Sequence, residues 1–252
     1  MYDFTYHRPS SLDDAAVAIK GAGDGTFLAG GQTLLPILKL RLANPSDVVD
    51  LGSIAELKGI TVDGDTVTIG AMTPHAEVAG SADVCAKIPA LADLAESIGD
   101  LQVRNRGTIG GSIANNDPAA DYPAAVVGLG ATVHTNARTI AADDFFTGLL
   151  ETALNDGEII TAVSFPVPDK AAYQKYGNPA SRYAIVGVML SSGSAGVRVA
   201  ITGAGPCVFR QGDMEKALAG SFSADAVTGV TVSADGLNSD IHASAKYRAH
   251  LV

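Results

Sequence analysis

Tryptophan is absent, and aromatic residues make up only 6% of the 252-residue chain. Cysteine is nearly as scarce: Cys85 and Cys207 lie far apart, in no CxxC pair. A cysteine-ligated iron–sulfur cluster or zinc site within the chain is thereby excluded. A disulfide scaffold is disfavoured, and two buried thiols are the expectation. Basic residues are also few, 17 Lys and Arg against 27 Asp and Glu, for a net charge of −10. They are scattered, so no basic face exists to track nucleic-acid phosphates or an anionic membrane. No apolar run is long enough to span a bilayer. The first residues have neither a basic n-region nor an apolar h-region, so the cytoplasm is the expected compartment. The five histidines, His7, His75, His134, His242 and His250, show no i, i+4 pairing, and no metal site is expected. A GxSxG nucleophile elbow is missing too, which disfavours a hydrolase.

What is present is a chain that can build a core. Hydrophobic residues reach 47%, charged residues only 17%, and glycine is abundant at 28. The length suggests one or two domains. Residues 10–21 predict a helix capped by Ser10 or Ser11, with Asp13 and Asp14 in its first turn. Residues 26–29 read as a strand, 34–42 as helical and 47–50 as a strand, together a βαβ-type unit. Asp63-Gly64-Asp65 between ITV and TVTI predicts a hairpin. Thr73 is expected to cap a helix that starts at Pro74. Residues 88–98 form an amphipathic helical pattern ending near Gly99. Further along, 143–149 reads as a short helix, 158–167 as a strand and 173–187 as a loop running into a strand. Residues 197–203 read as another strand, and 213–218 and 223–227 as helical pieces. A composition break at Pro166-Val167-Pro168-Asp169 marks the expected domain boundary, and the reading is α+β with two or three small subdomains.

Two glycine pairs stand out. One is Ala29-Gly30-Gly31-Gln32-Thr33, directly after a strand; the other is Gly107-Thr108-Ile109-Gly110-Gly111-Ser112. Successive backbone N–H groups freed of Cβ crowding form a concave nest suited to phosphate oxygens. Two such loops could grip a pyrophosphate from both sides, with hydroxyls at Thr33, Thr108 and Ser112 adding donors. Neither loop fits GxGxxG or a P-loop, so a standard Rossmann or Walker reading is disfavoured. Isolated Gly-Gly pairs are also common in plain turns. The second loop continues through Asn115-Asn116-Asp117-Pro118-Ala119-Ala120-Asp121. That stretch reads either as an Asx-rich, self-satisfied loop or as the carrier of Asp121, a carboxylate able to accept from ribose hydroxyls. Arg104 and Arg106, just before it, read as solvated or acid-paired, with the pyrophosphate as their functional alternative. His75 reads as structural or surface.

AGGQTLLP followed by QVRNRGTIGGSIANNDPAADYPA resembles the flavoprotein subunits of the xanthine oxidase and carbon monoxide dehydrogenase group. The resemblance extends through residues 156–160, 175–176, 181–186 and 239–248, in order. It implies a two-subdomain FAD-binding domain over 1–168, divided at about residue 55. A smaller α/β C-terminal domain with an antiparallel sheet would follow over 169–252. It also implies FAD held by Ala29, Gly30, Gly31, Gln32 and Thr33 with neighbours Leu28 and Leu34. Thr108, Ile109, Gly110, Gly111 and Ser112 would form the other half of the grip, and Asp121 would bind the adenosine ribose. Ile160 would touch the adenine side or flavin edge through its backbone. Lys175 would lie by the isoalloxazine carbonyls, and Tyr183 would cover one flavin face. His75, read as structural or surface, follows Thr73-Pro74 in a segment that the resemblance places near the cofactor. No catalytic residue of this chain need touch an organic substrate.

The implied function is electron transfer from iron–sulfur clusters through FAD to an external acceptor. The implied partners are a large subunit with molybdenum–pterin and a small subunit with two-iron two-sulfur clusters, in a dimer of heterotrimers. An FAD-binding accessory or storage protein is the alternative reading; a stand-alone flavin oxidase of the vanillyl-alcohol oxidase type has little room in this length. Three departures stand against the family pattern. Thr33 adds a methyl to the usual small hydroxyl residue, residues 191–205 are short, and the family tail runs on past Tyr247-Arg248-Ala249-His250-Leu251 where this chain stops at Val252.

Overall fold

A computed structural model describes all 252 residues. Its first 50 residues form a parallel three-stranded sheet. Strand Thr5–His7 pairs with Asp47–Asp50, which pairs with Gly25–Leu28. The crossovers are helices Leu12–Gly21 and Leu34–Lys39. Ser11 caps the first: its hydroxyl accepts from the Asp14 N–H at 3.2 Å, and Asp13 and Asp14 complement the positive helix end. The second helix stops three residues short of the expected Leu42. Arg41 adopts a left-handed φ of 58°, while Leu42 N–H bonds Ile37 O and Arg41 N–H bonds Leu38 O. That is a Schellman closure with arginine in the position glycine usually takes.

The centre is a five-stranded antiparallel sheet in the order Ile60–Asp63, Thr66–Gly70, Ile160–Pro166, Thr132–Thr135, Thr139–Ala141. Its first hairpin turns at Gly64, φ 56°, as the Asp-Gly signal predicts. The largest core sits here, with 27 buried residues against seven in the cluster under the parallel sheet. Helices Pro89–Glu96, Ile109–Asn115 and Tyr122–Gly128 contribute to it. Every residue of Tyr122–Gly128 is buried, because a third layer covers its other side. That layer is an antiparallel four-stranded sheet, Lys170–Gly177, Ala184–Gly193, Gly196–Thr202 and Phe209–Arg210. Ser191 Oγ donates to Gly128 O at 2.6 Å and Arg198 Nε to Val127 O at 2.7 Å. The first contact satisfies a carbonyl that the helix end leaves open, and the second adds to Val127 O, which also accepts from Gly130 N–H. Helices Gly212–Gly220, Ala224–Val227 and Ala245–Leu251 complete the chain. No helix is long and apolar enough to cross a membrane.

Several local expectations need correction. Strand Thr5–His7 was not anticipated; it is too short for a sequence period. Thr73 does not cap a helix. Pro74 holds the N-cap place of helix His75–Gly80, while the buried Thr73 hydroxyl donates to Gly59 O and accepts from Gly59 N–H. The helix expected over 143–149 ends at Phe145, and Phe146–Gly148 turns into a small hairpin with Glu151–Thr152. The stretch read as a loop before 187 contains strand Lys170–Gly177, whose inward positions are Ala171, Tyr173 and Lys175. Cys85 is exposed, not buried, on the short helix Ala82–Lys87, and Cys207 is half-buried.

Candidate functional site

A cavity of about 610 Å³ opens between the parallel unit and the central layer. Strand Gly25–Leu28 delivers the chain into its first wall, Ala29 to Leu34. Gly31 has φ 75°, where a side chain is strained. Gly30 is required for a different reason. A Cβ there would lie 2.1 Å from Arg106 O and 2.7 Å from Gly107 Cα, so the two glycine loops touch backbone to backbone. The backbone N–H groups of Gly30, Gly31, Gln32 and Thr33 donate to nothing in the protein. Gly30 and Gly31 are half-buried and Gln32 and Thr33 exposed, so the row faces open space, and consecutive free N–H groups at a cavity suit an anion.

The second wall, residues 107–121, is built differently. Thr108 caps helix Ile109–Asn115, its Oγ1 accepting from Gly111 N–H at 3.1 Å. Ile109 N–H bonds Thr73 O, Gly110 N–H bonds Ala71 O and Ser112 N–H bonds Thr108 O. Within residues 108–112 only the Thr108 N–H donates to nothing in the protein. A Cβ on Gly110 would meet Ala71 Cβ at 2.6 Å and Ala71 O at 2.7 Å, so that glycine lets the helix lie against residue 71 where core and cavity meet. Gly111 lies closer to the ligand side, with 3.1 Å from its Cβ position to Ala29 Cβ. The acceptor-rich stretch is partly self-satisfied. Asn116 sits at φ 44° with its amide on Gly148 O and Glu151 O, and Asp117 Oδ1 accepts from Ala119 N–H.

Asp121 closes the second wall. It is only 4% exposed yet lines the cavity. Tyr173 donates to its Oδ1 at 2.5 Å and Lys175 Nζ to its Oδ2 at 2.9 Å. Burial raises the carboxyl's pKa, and Lys175 and Tyr173 oppose that rise. An ionised carboxylate offers roughly four acceptor sites, so Tyr173, Lys175 and its own backbone N–H do not use all of them. Tyr183 stands nearby, half-exposed. Burial and then the charges of Asp117 and Asp121 raise its hydroxyl's pKa.

Of the residues named from the sequence, all but Leu28, Ile109 and Lys175 line the cavity. Ile109 is fully buried in the central core. Leu28 backs the first loop, its Cδ1 3.3 Å from the Cβ position of Gly31. Lys175 does not extend into the cavity, because Asp121 and Ser97 O hold its ammonium. His75, Arg182, Gly107, Asn115 and Glu158 also line the cavity; each lies in or beside a stretch the sequence singled out, but none was given a role in holding the cofactor. Glu158 is held near a pKa of about 2 by Arg138, with Asn155 and Thr135 also donating to it. His75 is 5% exposed, and burial, with Arg104 adding, lowers its pKa to about 4.

The groups present fit FAD. The free N–H row suits a diphosphate, Asp121 suits a ribose, and the remaining lining is largely apolar, as an aromatic ring system requires. Comparison with known proteins agrees. The sequence model of a family described as the FAD binding domain in molybdopterin dehydrogenase matches residues 2–168. The chain is 38% identical over 238 residues to the carbon monoxide dehydrogenase medium chain of Hydrogenophaga pseudoflava, covering 89% of this chain and 83% of that one. It is 37% identical over 261 residues to the nicotine 6-hydroxylase medium subunit of Paenarthrobacter nicotinovorans, covering 98% and 92%. The solved carbon monoxide dehydrogenase of Hydrogenophaga pseudoflava lacking the Mo-pyranopterin moiety superposes with a TM-score of 0.90. That match has 35% identity and covers 98% of this chain and 92% of that chain.

Proposed function

The chain belongs to the family of FAD-binding domains of molybdopterin dehydrogenases, and from that premise we propose that it is the electron-relay subunit of a molybdenum hydroxylase. The observation that carries the reading is the row of unpartnered N–H donors at Gly30, Gly31, Gln32 and Thr33 over a cavity of about 610 Å³. When bound, FAD supplies the redox chemistry, taking electrons from iron–sulfur clusters and passing them to an external acceptor. The chain's own residues do the rest. The first loop binds the diphosphate by backbone donors, with the Thr33 and Ser112 hydroxyls in reach. Asp121 accepts from the adenosine ribose on the lone pairs that Tyr173 and Lys175 leave free. Lys175 positions Asp121. Ile160 and Tyr183 wall the ring systems and exclude water. Leu28 and Ile109 hold the two loops from behind.

The complex would contain a large molybdenum–pterin subunit and a small subunit with two-iron two-sulfur clusters, as a dimer of heterotrimers. Absorbance of the natively purified protein, then denaturation and chromatography of the released cofactor, tests the reading. Stoichiometric FAD, with iron–sulfur absorption only when larger subunits co-purify, is the expected result. A colourless protein that also fails to take up added FAD would overturn it.

A further inference from the structure

His75 opens helix His75–Gly80 and lines the cavity, with its ring 5.2 Å from that of Tyr122. Its Nδ1 is sealed in the packing with no hydrogen-bond partner. Its Nε2 has no protein partner either but is not sealed in this way. That nitrogen borders Gly107, lying 2.6 Å from where a Cβ would sit, and Gly107 in turn abuts Gly30 at the head of the free N–H row. The tautomer follows from the packing. A proton on Nδ1 would be an orphaned buried donor, whereas an unprotonated Nδ1 is only an unused acceptor, the less costly defect. The proton is therefore assigned to Nε2, at the ring edge open to the cavity. With a pKa lowered to about 4 by burial and by Arg104, the imidazole is neutral at physiological pH.

We propose that His75 is a cofactor-positioning residue, donating its Nε2–H to a diphosphate oxygen of FAD where the two glycine loops meet. The contact rests on the FAD reading above. It would give the second wall the outward donor that its backbone largely lacks, without adding a cation.

The test uses the full chain, stripped of cofactor and ¹⁵N-labelled. Histidine ring NMR should show the Nε2–H tautomer for His75, and FAD should shift that signal while riboflavin, which has no phosphate, should not. His75→Leu should raise the FAD dissociation constant about 10- to 100-fold, the range for a hydrogen bond to a charged acceptor. It should leave riboflavin binding unchanged. His75→Gln, whose amide N–H reaches toward the Nε2 position, should stay within about threefold of wild type. An Nδ1–H tautomer, a His75 signal unmoved by bound FAD, or equal FAD affinity in the leucine variant would each overturn the contact alone. If the leucine variant does not fold, the wild-type spectra still decide. Wild-type chain that binds no FAD would overturn the cofactor reading and the contact with it.

Discussion

The two walls of the cavity share a composition, each with a Gly-Gly pair and hydroxyl residues, but they use their polar groups in opposite ways. The Ala29 to Thr33 wall leaves its backbone donors open. The wall from Gly107 to Asp121 has already engaged most of its own, in a helix cap, in contacts to residues 71–75 and in the Asp121–Lys175–Tyr173 cluster. The first wall is therefore free to bind through its backbone, while the second is a buttress held by protein contacts. The difference teaches that a glycine pair is not a function: the partners of its N–H groups decide whether it binds or packs.

The largest expected effect lies on the buttress. Asp121→Asn leaves Lys175 buried without its counter-charge, both groups being nearly enclosed. Removing one member of such a pair costs about 3–5 kcal/mol. Urea unfolding of the apo chain should show that loss. Adding Lys175→Met should recover most of it, because a neutral pair of similar size needs no compensation. In the folded fraction, FAD affinity should fall more than FMN affinity, since only FAD carries the second ribose. A wild-type midpoint for the single variant would mean that Asp121 is not part of the buttress.

Next in size is a matched glycine pair. Gly30→Ala drives a Cβ into backbone, Arg106 O, which cannot rotate away. The walls must separate, and FAD affinity should fall about 100-fold, roughly 3 kcal/mol. Gly110→Ala meets the Cβ and carbonyl of Ala71, within its own wall and not across the cavity, and should cost stability, about 1–3 kcal/mol of overpacking. Its surviving folded fraction should bind FAD nearly as wild type does. Isothermal titration beside thermal melts separates the two outcomes. If Gly110→Ala lost FAD and kept its melting temperature, the two walls would have to exchange roles.

Much of this was legible in the sequence where the signal is local. The Asp-Gly hairpin, the Ser11 cap and the strand entering the first glycine loop depend on neighbours within a few residues. The paired motifs implied the cofactor, and most of the residues they named do line one cavity. What escaped depends on distant partners. Lys170–Gly177 reads as polar because its inward face carries Lys175, and that lysine can be buried only because Asp121, 54 positions earlier, neutralises it. Thr73 has the look of a cap, but the Gly59 backbone, 14 positions away, claims its hydroxyl. The resemblance placed the segment of His75 near the cofactor, but its role read as structural or surface; only packing against Tyr122 and Gly107 distinguishes its two nitrogens.

The smallest effect sharpens the comparison from the electrostatic side. Arg182 is the one cationic residue lining the cavity, against Asp117, Asp121 and Glu158. Lys175 and Arg138 neutralise the last two from outside the lining. Arg182 itself, at φ 62°, donates to Gly99 O and is exposed to solvent. A dianionic diphosphate in this cavity would thus be met by backbone dipoles and not by a cluster of full charges. Salt screens separated, exposed charges strongly and short hydrogen bonds in a partly enclosed site far less. FAD affinity should therefore change by less than about threefold between roughly 0.05 and 0.5 M salt. Arg182→Gln should weaken binding by less than about fivefold, in line with the small contribution of an exposed charge. Fluorescence titration of the apo chain across that salt range measures both. A tenfold or steeper salt dependence that vanished in Arg182→Gln would put a cation in the grip, and the open N–H row would no longer suffice to explain how the first wall holds its ligand.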